Sequence, residues 1–273
     1  EDPFSPYYLV WSLKECASSS SLPVAVTWWK GGKEEEWEKA LALEADVLAV
    51  YGTSEPIARW RKIFPSSATF LPYGPKISFQ ILGERGRKLA QAVARDTVLF
   101  DQQGCMSPHW CFLVGWKKQD IHFFTTEIVE KMEWLSRKYP PREKSLEEKV
   151  RIRSAINLYR IKRTAVLVGN LEKGMVIVDK SRETLPSIGD RILFLKPAPS
   201  LAEVISILQP YKGLLHTCAI GGVTREERKR WVKALRQLGV ERLCAVGRMQ
   251  FPHPFSRFFL SPWLKIPRVI SKE

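Results

Sequence analysis

VLAVYGTSEPIARWRKIF, residues 47–64, sets the fold class. Val47 to Tyr51 is a continuous apolar run, the pattern of a strand that a parallel sheet buries on both faces. Gly52 makes the turn. Ser54 stands in the N-cap position and Pro56 in the first turn of a helix running through Phe64. The same alternation extends on either side. Upstream come a helix from Pro6 to Cys16, the serine run 18–21, a short apolar strand from Val24 to Trp29 and a Gly31-Gly32 turn. An amphipathic helix from Glu34 to Ala45 follows, with Trp37 and Leu41 on one face. Downstream come a strand and turn in TFLPYGPKISF (69–79) and a helix from Arg85 to Phe100 with Leu89, Val93 and Phe100 on one side. A strand from Trp110 to Val114 and a helix from about Thr126 to Tyr139 complete this half. Helices and strands in alternation predict an α/β architecture with a parallel sheet.

Beyond Pro140-Pro141 the pattern resumes. A helix reaches Lys162, a hairpin forms from TAVLVG and MVIVD around Glu172-Lys173-Gly174, and RILFL (191–195) is a strand. Ser200/Glu203 and Thr224/Glu227 have capping-box spacing, in which hydroxyl and carboxylate each satisfy an N–H at the helix start. Gly239 ends the second of these helices and ERLCAVG returns as a strand. The last residues, 253–273, are basic and aromatic without periodicity and read as a divergent tail.

The composition narrows the function. Hydrophobic residues make up 45% of the 273 and aromatics 11%, which describes an ordered globular chain long enough for two lobes. No apolar run approaches the ~20 residues of a membrane span. Five cysteines, odd in number and scattered, suit a reduced, cytoplasmic protein better than a disulfide framework. The net charge of +14 is spread over RKYPPREK (137–144), VRIRSAINLYRIKR (150–163) and REERKRW (225–231). These blocks read as solvated helix faces, attractive to an anionic cofactor or acyl carrier, and carry no nucleic-acid motif.

LFDQQGCMSPHWCFLVG (99–115) places Cys105 at a junction between a helix-like and a strand-like run, behind Gly104 and ahead of Pro108. A junction loop can present a thiolate to a substrate and to backbone N–H donors. Spacing alone leaves the opposite reading, a small buried hydrophobe, ahead. A metal site from Cys105, His109 and Cys111 is disfavoured, since no second ligand pair has suitable spacing and Cys111 falls inside a strand. His109, four residues on, reads equally as an activator of Cys105 or as a histidine packed at the strand start.

DQQGCMSPHW resembles the active-site segment of the acyl-CoA reductases of the bacterial-luminescence type, a branch of the aldehyde dehydrogenase superfamily. Residues 28–57, FLPYGPKISF (70–79), LHTCAIGG (215–222) and VGRMQFP (246–252) resemble the same family in the same order. The resemblance implies an aldehyde-dehydrogenase-like fold: the later part of a dinucleotide-binding lobe over 1–98, a catalytic lobe over 99–252 and the tail 253–273. Cys105 is then the nucleophile that takes an acyl group as a thioester, with His109 beside it. Gly52, Thr53 and Ser54 would face the cofactor pyrophosphate, where a glycine turn and helix N-terminus suit phosphate.

The implied reaction reduces a long-chain acyl-CoA or acyl adenylate to the fatty aldehyde with NADPH, NADH being the other candidate. An acyl-protein synthetase is the implied partner, and oligomers are expected. Two departures bear on this. Hydrolytic members carry a general-base glutamate in Glu-Leu-Gly-Gly, where this chain reads PYGPKIS, which favours acyl transfer and reduction over oxidation to the acid. The superfamily's Glu-x-Phe-Gly-Pro is not evident near PSIGDRILF (186–194). The chain opens without methionine and is read as a fragment, with the oxyanion asparagine and cofactor-ribose lysine of the superfamily upstream of Glu1, so that alone it is expected to be poorly active. The competing reading is a non-catalytic remnant or interaction subunit that keeps the fold.

Overall fold

A computed structural model describes residues 4–16, 23–84, 86, 88–161, 165–183 and 188–252. The serine run 18–21 and the tail 253–273 lie outside them. The chain forms two compact units, 1–74 and 75–273.

The first unit holds α1 (Phe4–Cys16), α2 (Glu35–Glu44), β1 (Val47–Tyr51), α3 (Ser54–Ile63) and β2 (Thr69–Tyr73). β1 and β2 pair in parallel, from Val47 opposite Thr69 to Tyr51 opposite Tyr73, with α3 as the crossover. This is the unit that residues 47–64 predict. Three local expectations fail. Val24 to Trp29 forms no strand and is largely exposed, because an apolar run becomes a strand only beside an edge that supplies hydrogen bonds. In α2 the apolar pair Trp37 and Leu41 faces outward, and Glu38 and Ala42 are buried instead. Glu38 is satisfied there by Arg59 through both guanidinium nitrogens, by the Gly32 N–H at 2.9 Å and by the Trp29 indole at 3.2 Å. At α3 the N-cap is Thr53, and Ser54 is the first helical residue.

The second unit is a seven-stranded sheet between two helical layers. Its elements are β3 (Ile77–Leu82), α4 (Leu89–Val98), β4 (Pro108–Val114), α5 (Lys118–Lys138), α6 (Leu146–Ile161), β5 (Ala165–Asn170), β6 (Gly174–Asp179), β7 (Ile192–Ala198), α7 (Leu201–Leu208), β8 (Leu215–Gly221), α8 (Arg225–Leu238) and β9 (Arg242–Ala245). The strand order is β5-β6-β7-β4-β3-β8-β9, parallel throughout except for the β5–β6 hairpin. Residues 75–98 belong to this unit, and β3 lies inside its sheet between β4 and β8.

Side chains two apart along the strands share a face. Phe79, Ile81, Trp110, Phe112, Ile177 and Phe194 pack under α6, α7 and α8. Leu82, Cys111, Leu113, Val176, Leu193 and Leu195 pack under α4 and α5. Covering both faces explains why these strands read as apolar runs without alternation. The helix expected from Arg85 to Phe100 is shorter, and the one expected from Thr126 begins at Lys118. Of the two predicted capping boxes, Thr224/Glu227 closes in both directions. At Ser200 only the hydroxyl caps, because the Glu203 carboxylate is drawn to Arg182 at 2.7 Å.

Candidate active site

Cys105 sits in the loop that enters β4 and is exposed. Partial withdrawal of its sulfur from water pushes the thiol above the ordinary range. The Glu241 carboxylate pushes the same way, while the backbone N–H groups of Cys105 and Met106 favour the thiolate and pull it back. Cys16, on α1, is exposed as well and Cys244 is half-buried, whereas Cys111 and Cys218 are fully buried, and burial raises both thiols far out of reach at neutral pH.

The loop is held from below by groups brought together from across the unit. Ser78, fully buried in β3, donates its hydroxyl to the Cys105 carbonyl at 2.7 Å and accepts the Thr217 N–H at 3.2 Å. His216 Nδ1 lies 3.3 Å from the same carbonyl. Its Nε2 faces Glu241 at 3.9 Å, and Glu241 is paired with Lys76 at 2.7 Å. Burial holds the His216 imidazole below its usual range, with Glu241 opposing. Gln250 donates to Ser107 Oγ at 2.8 Å. Buried Asp96 fixes the strand-to-loop exit that carries Gln250, accepting the N–H groups of Gly247 at 2.6 Å and Met249 at 3.1 Å.

The approach to the cysteine is strained. Phe100, Asp101 and Gln102 have φ of 56°, 50° and 60°, three consecutive left-handed residues without a glycine among them. Left-handed backbone costs an ordinary residue about 1–2 kcal/mol, so neighbours must enforce it. Gln102 is buried and bonds the backbone of Pro108 and Ile192. Asp101 accepts from Arg191 Nε at 2.6 Å and from the Arg142 N–H at 3.2 Å.

His109 is on β4, where its ring meets Trp110 edge-on. Burial lowers its imidazole to about 4. No hydrogen bond joins it to Cys105 among the described residues; the histidine brought to the Cys105 loop is His216. Ser78, His216, Glu241, Gln250 and Asp96 escaped sequence reasoning as functional residues. FLPYGPKISF, LHTCAIGG and VGRMQFP contain Ser78, His216 and Gln250, one each, and those segments were the only signal. Among the described residues, no group of three or more His, Cys, Asp or Glu is arranged to hold a metal, and no helix is long and apolar enough to cross a membrane.

In the first unit, Gly52, Thr53 and Ser54 form an exposed turn at the N-terminus of α3. Gly52 N–H donates to the Tyr73 carbonyl at 3.2 Å, and Thr53 makes no side-chain cap. The first N–H groups of α3 are thus left open at the positive end of the helix, which suits a phosphate.

Comparison with known proteins identifies the family and the fold. Residues 1–254 match the family described as Acyl-CoA reductase (LuxC). The long-chain acyl-protein thioester reductase of Aliivibrio fischeri is 22% identical over 278 residues, covering 100% of this chain and 56% of that protein. Long-chain acyl-protein thioester reductase 2 of Photobacterium leiognathi is 26% identical over 152 residues, covering 54% of this chain and 31% of that protein. The chain therefore spans about half the length, or less, of these curated relatives. Among solved structures, the Δ-pyrroline-5-carboxylate dehydrogenase of Mycobacterium tuberculosis superposes with a TM-score of 0.64 at 12% identity, over 88% of this chain and 48% of that one. An NAD-dependent benzaldehyde dehydrogenase from Corynebacterium glutamicum gives 0.57 at 14% identity, over 79% and 49%. The fold is that of the aldehyde dehydrogenases.

Proposed function

The chain belongs to the Acyl-CoA reductase (LuxC) family, and we propose that it carries the acyl-accepting half-site of a long-chain acyl thioester reductase, with Cys105 as the nucleophile. The observation that carries this reading is an exposed thiol on a loop held by Ser78, His216 and Gln250, with two backbone N–H groups favouring its thiolate.

In the first step Cys105 Sγ attacks the carbonyl of an acyl thioester. A new sulfur–carbon bond forms, the donor's thiolate leaves with the thiol proton, and the acyl group rests on Cys105 as a thioester. The Cys105 and Met106 N–H groups stabilise negative charge on the carbonyl oxygen during attack; removing one such donor typically costs about 3–4 kcal/mol of barrier lowering. The next step adds two electrons and a proton to the acyl-enzyme carbonyl. The resulting thiohemiacetal alkoxide on Cys105 collapses to the aldehyde and the Cys105 thiolate, which takes a proton from solvent to regain the thiol.

No residue of this chain has to activate water, in keeping with PYGPKIS in place of a general-base glutamate. A nicotinamide cofactor, when bound, supplies the two electrons. Gly52, Thr53 and Ser54 fit its pyrophosphate, because their turn offers open N–H groups at the start of α3. NADPH is the proposed form, an acyl-protein synthetase the proposed acyl donor, and the cytoplasm the proposed compartment.

Incubation with a long-chain acyl-CoA followed by peptide mass spectrometry tests the reading. A hydroxylamine-labile adduct on Cys105, lost in Cys105→Ser, is the expected result. No adduct, together with equal and slow iodoacetamide labelling of all five cysteines, assigns the chain to a non-catalytic role instead.

A further inference from the structure

Ser78 lies where both neighbours of the central strand slip register. Toward β4, Ser78 pairs with Pro108 and Phe79 with Trp110, so His109 is bypassed. Toward β8, Ile77 pairs with Leu215 and Phe79 with Cys218, so His216 and Thr217 stand opposite Ser78 alone. Bulges of this kind interrupt a ladder and re-aim the groups beside it. Here the Ser78 hydroxyl bonds backbone groups on either side of the interrupted ladder. It spans the gap, taking the Thr217 N–H at 3.2 Å and giving its own proton to the Cys105 carbonyl at 2.7 Å.

We propose that Ser78 is the positioning residue of the nucleophile: by anchoring the Cys105 carbonyl it fixes the Cys105–Met106 peptide plane and so turns the Met106 N–H toward the sulfur and the substrate carbonyl. This rests on the reading of Cys105 as an acyl acceptor. A trans peptide is planar, with its C=O and N–H pointing in opposite directions. A carbonyl held down onto Ser78 therefore sends the following N–H up to the reactive side, where the Met106 N–H favours the thiolate. His216 Nδ1, at 3.3 Å, is a second, longer contact to the same oxygen. The Ser78 hydroxyl bonds the Cys105 carbonyl and not its sulfur, and acts through the plane it fixes.

The test compares wild type, Ser78→Ala and Ser78→Thr. Cys105 alkylation by iodoacetamide is followed by peptide mass spectrometry across pH, and acyl transfer from a long-chain acyl-CoA is measured alongside. Ser78→Ala is expected to move the alkylation midpoint to higher pH. At a pH chosen to match alkylation rates, it should also lower acyl transfer by about tenfold, a fraction of the effect of deleting an oxyanion donor. Ser78→Thr, which keeps the hydroxyl, should restore both. An unchanged midpoint and an unchanged ratio of acylation to alkylation in folded Ser78→Ala overturn the proposal.

Where Ser78→Ala does not fold, His216→Gln, which disturbs the second contact, is expected to shift the same two readouts by a smaller amount. No shift in that variant overturns the proposal as well. The two readings fail separately. A wild-type chain that never acylates Cys105 ends the acyl-acceptor reading, whereas normal acylation in Ser78→Ala ends only the positioning role.

Discussion

Gln102 and the backbone of Ile192 are joined by two hydrogen bonds of opposite sense: Gln102 Nε2 donates to the Ile192 carbonyl at 2.9 Å, and the Ile192 N–H donates to Gln102 Oε1 at 2.7 Å. A third bond ties Nε2 to the Pro108 carbonyl at 2.7 Å. One buried amide thereby attaches the left-handed segment to β7 and to the start of β4.

Gln102→Ala should cost about 2–4 kcal/mol, since it strips partners from buried backbone groups that have no water to replace them. Urea unfolding measures this. Cys105 alkylation should slow in the same variant, because the amide that ties the left-handed segment to β4 and β7 is lost.

His109→Gln should leave the pH profile of Cys105 alkylation unchanged. A proton passing from a thiol above its ordinary range to an imidazole at about 4 would climb several orders of magnitude. A profile that loses its neutral-pH arm in this variant would restore His109 as the base.

Asp96 gives the stability an unusual pH slope. Burial raises its carboxyl to about 6 despite the N–H groups of Gly247 and Met249 and the Gln80 amide that bond it. The folded state therefore takes up a proton between the unfolded value of 3.8 and about 6. Stability from this group is full below the lower value and declines as pH rises through the higher one. Relative to Asp96→Asn, wild type should lose about 1–3 kcal/mol from pH 4 to pH 7, read by denaturant titration at both ends.

Lys196 and Asp179 are a buried ion pair at 2.8 Å, Lys196 also donating to the Glu183 carbonyl at 2.8 Å. Lys196→Ala should destabilise by about 3–5 kcal/mol by leaving a buried carboxylate without its counter-charge, whereas Lys196→Met with Asp179→Leu should recover most of that loss. Burial raises the Asp179 carboxyl, but the bonds from Lys196 and Ser181 outweigh it and hold it below 3.8. Its stabilisation is present above that value and is lost as pH falls through the lowered one. It therefore titrates in a window below that of Asp96.

Phe100→Gly should be neutral or stabilising by up to about 1 kcal/mol. The side chain is 69% exposed and its φ is 56°, so the variant loses little packing and relieves backbone strain. Thermal unfolding decides.

Local chemistry carried far in this chain. Val47–Tyr51, the Gly52 turn and α3 were readable because strand, turn and helix are contiguous. The 165–179 hairpin and the Thr224/Glu227 box were readable for the same reason. Cys105 drew attention through its junction loop, and family resemblance gave it a role. What stayed hidden depends on distant partners. Glu38 is buried because Arg59, 21 residues later, neutralises it, and that displaced Trp37 and Leu41 to the surface. Val24 to Trp29 lacks the neighbouring edge that a strand requires. Ser78 and His216 reach one carbonyl from 27 and 111 residues away, separations at which no motif spacing exists. Bulges are likewise properties of paired strands, so His109 could be placed near the cysteine in sequence without being bonded to it.

The reach from Asp96 to Gly247 spans 151 residues, and Gln250 lies 143 beyond Ser107. During synthesis the ribosome therefore releases the reactive thiol long before the segment that shapes its cradle. A nascent chain halted ahead of Val246 would expose a sluggish cysteine, and sharp reactivity would arrive only once residues 246–250 have emerged.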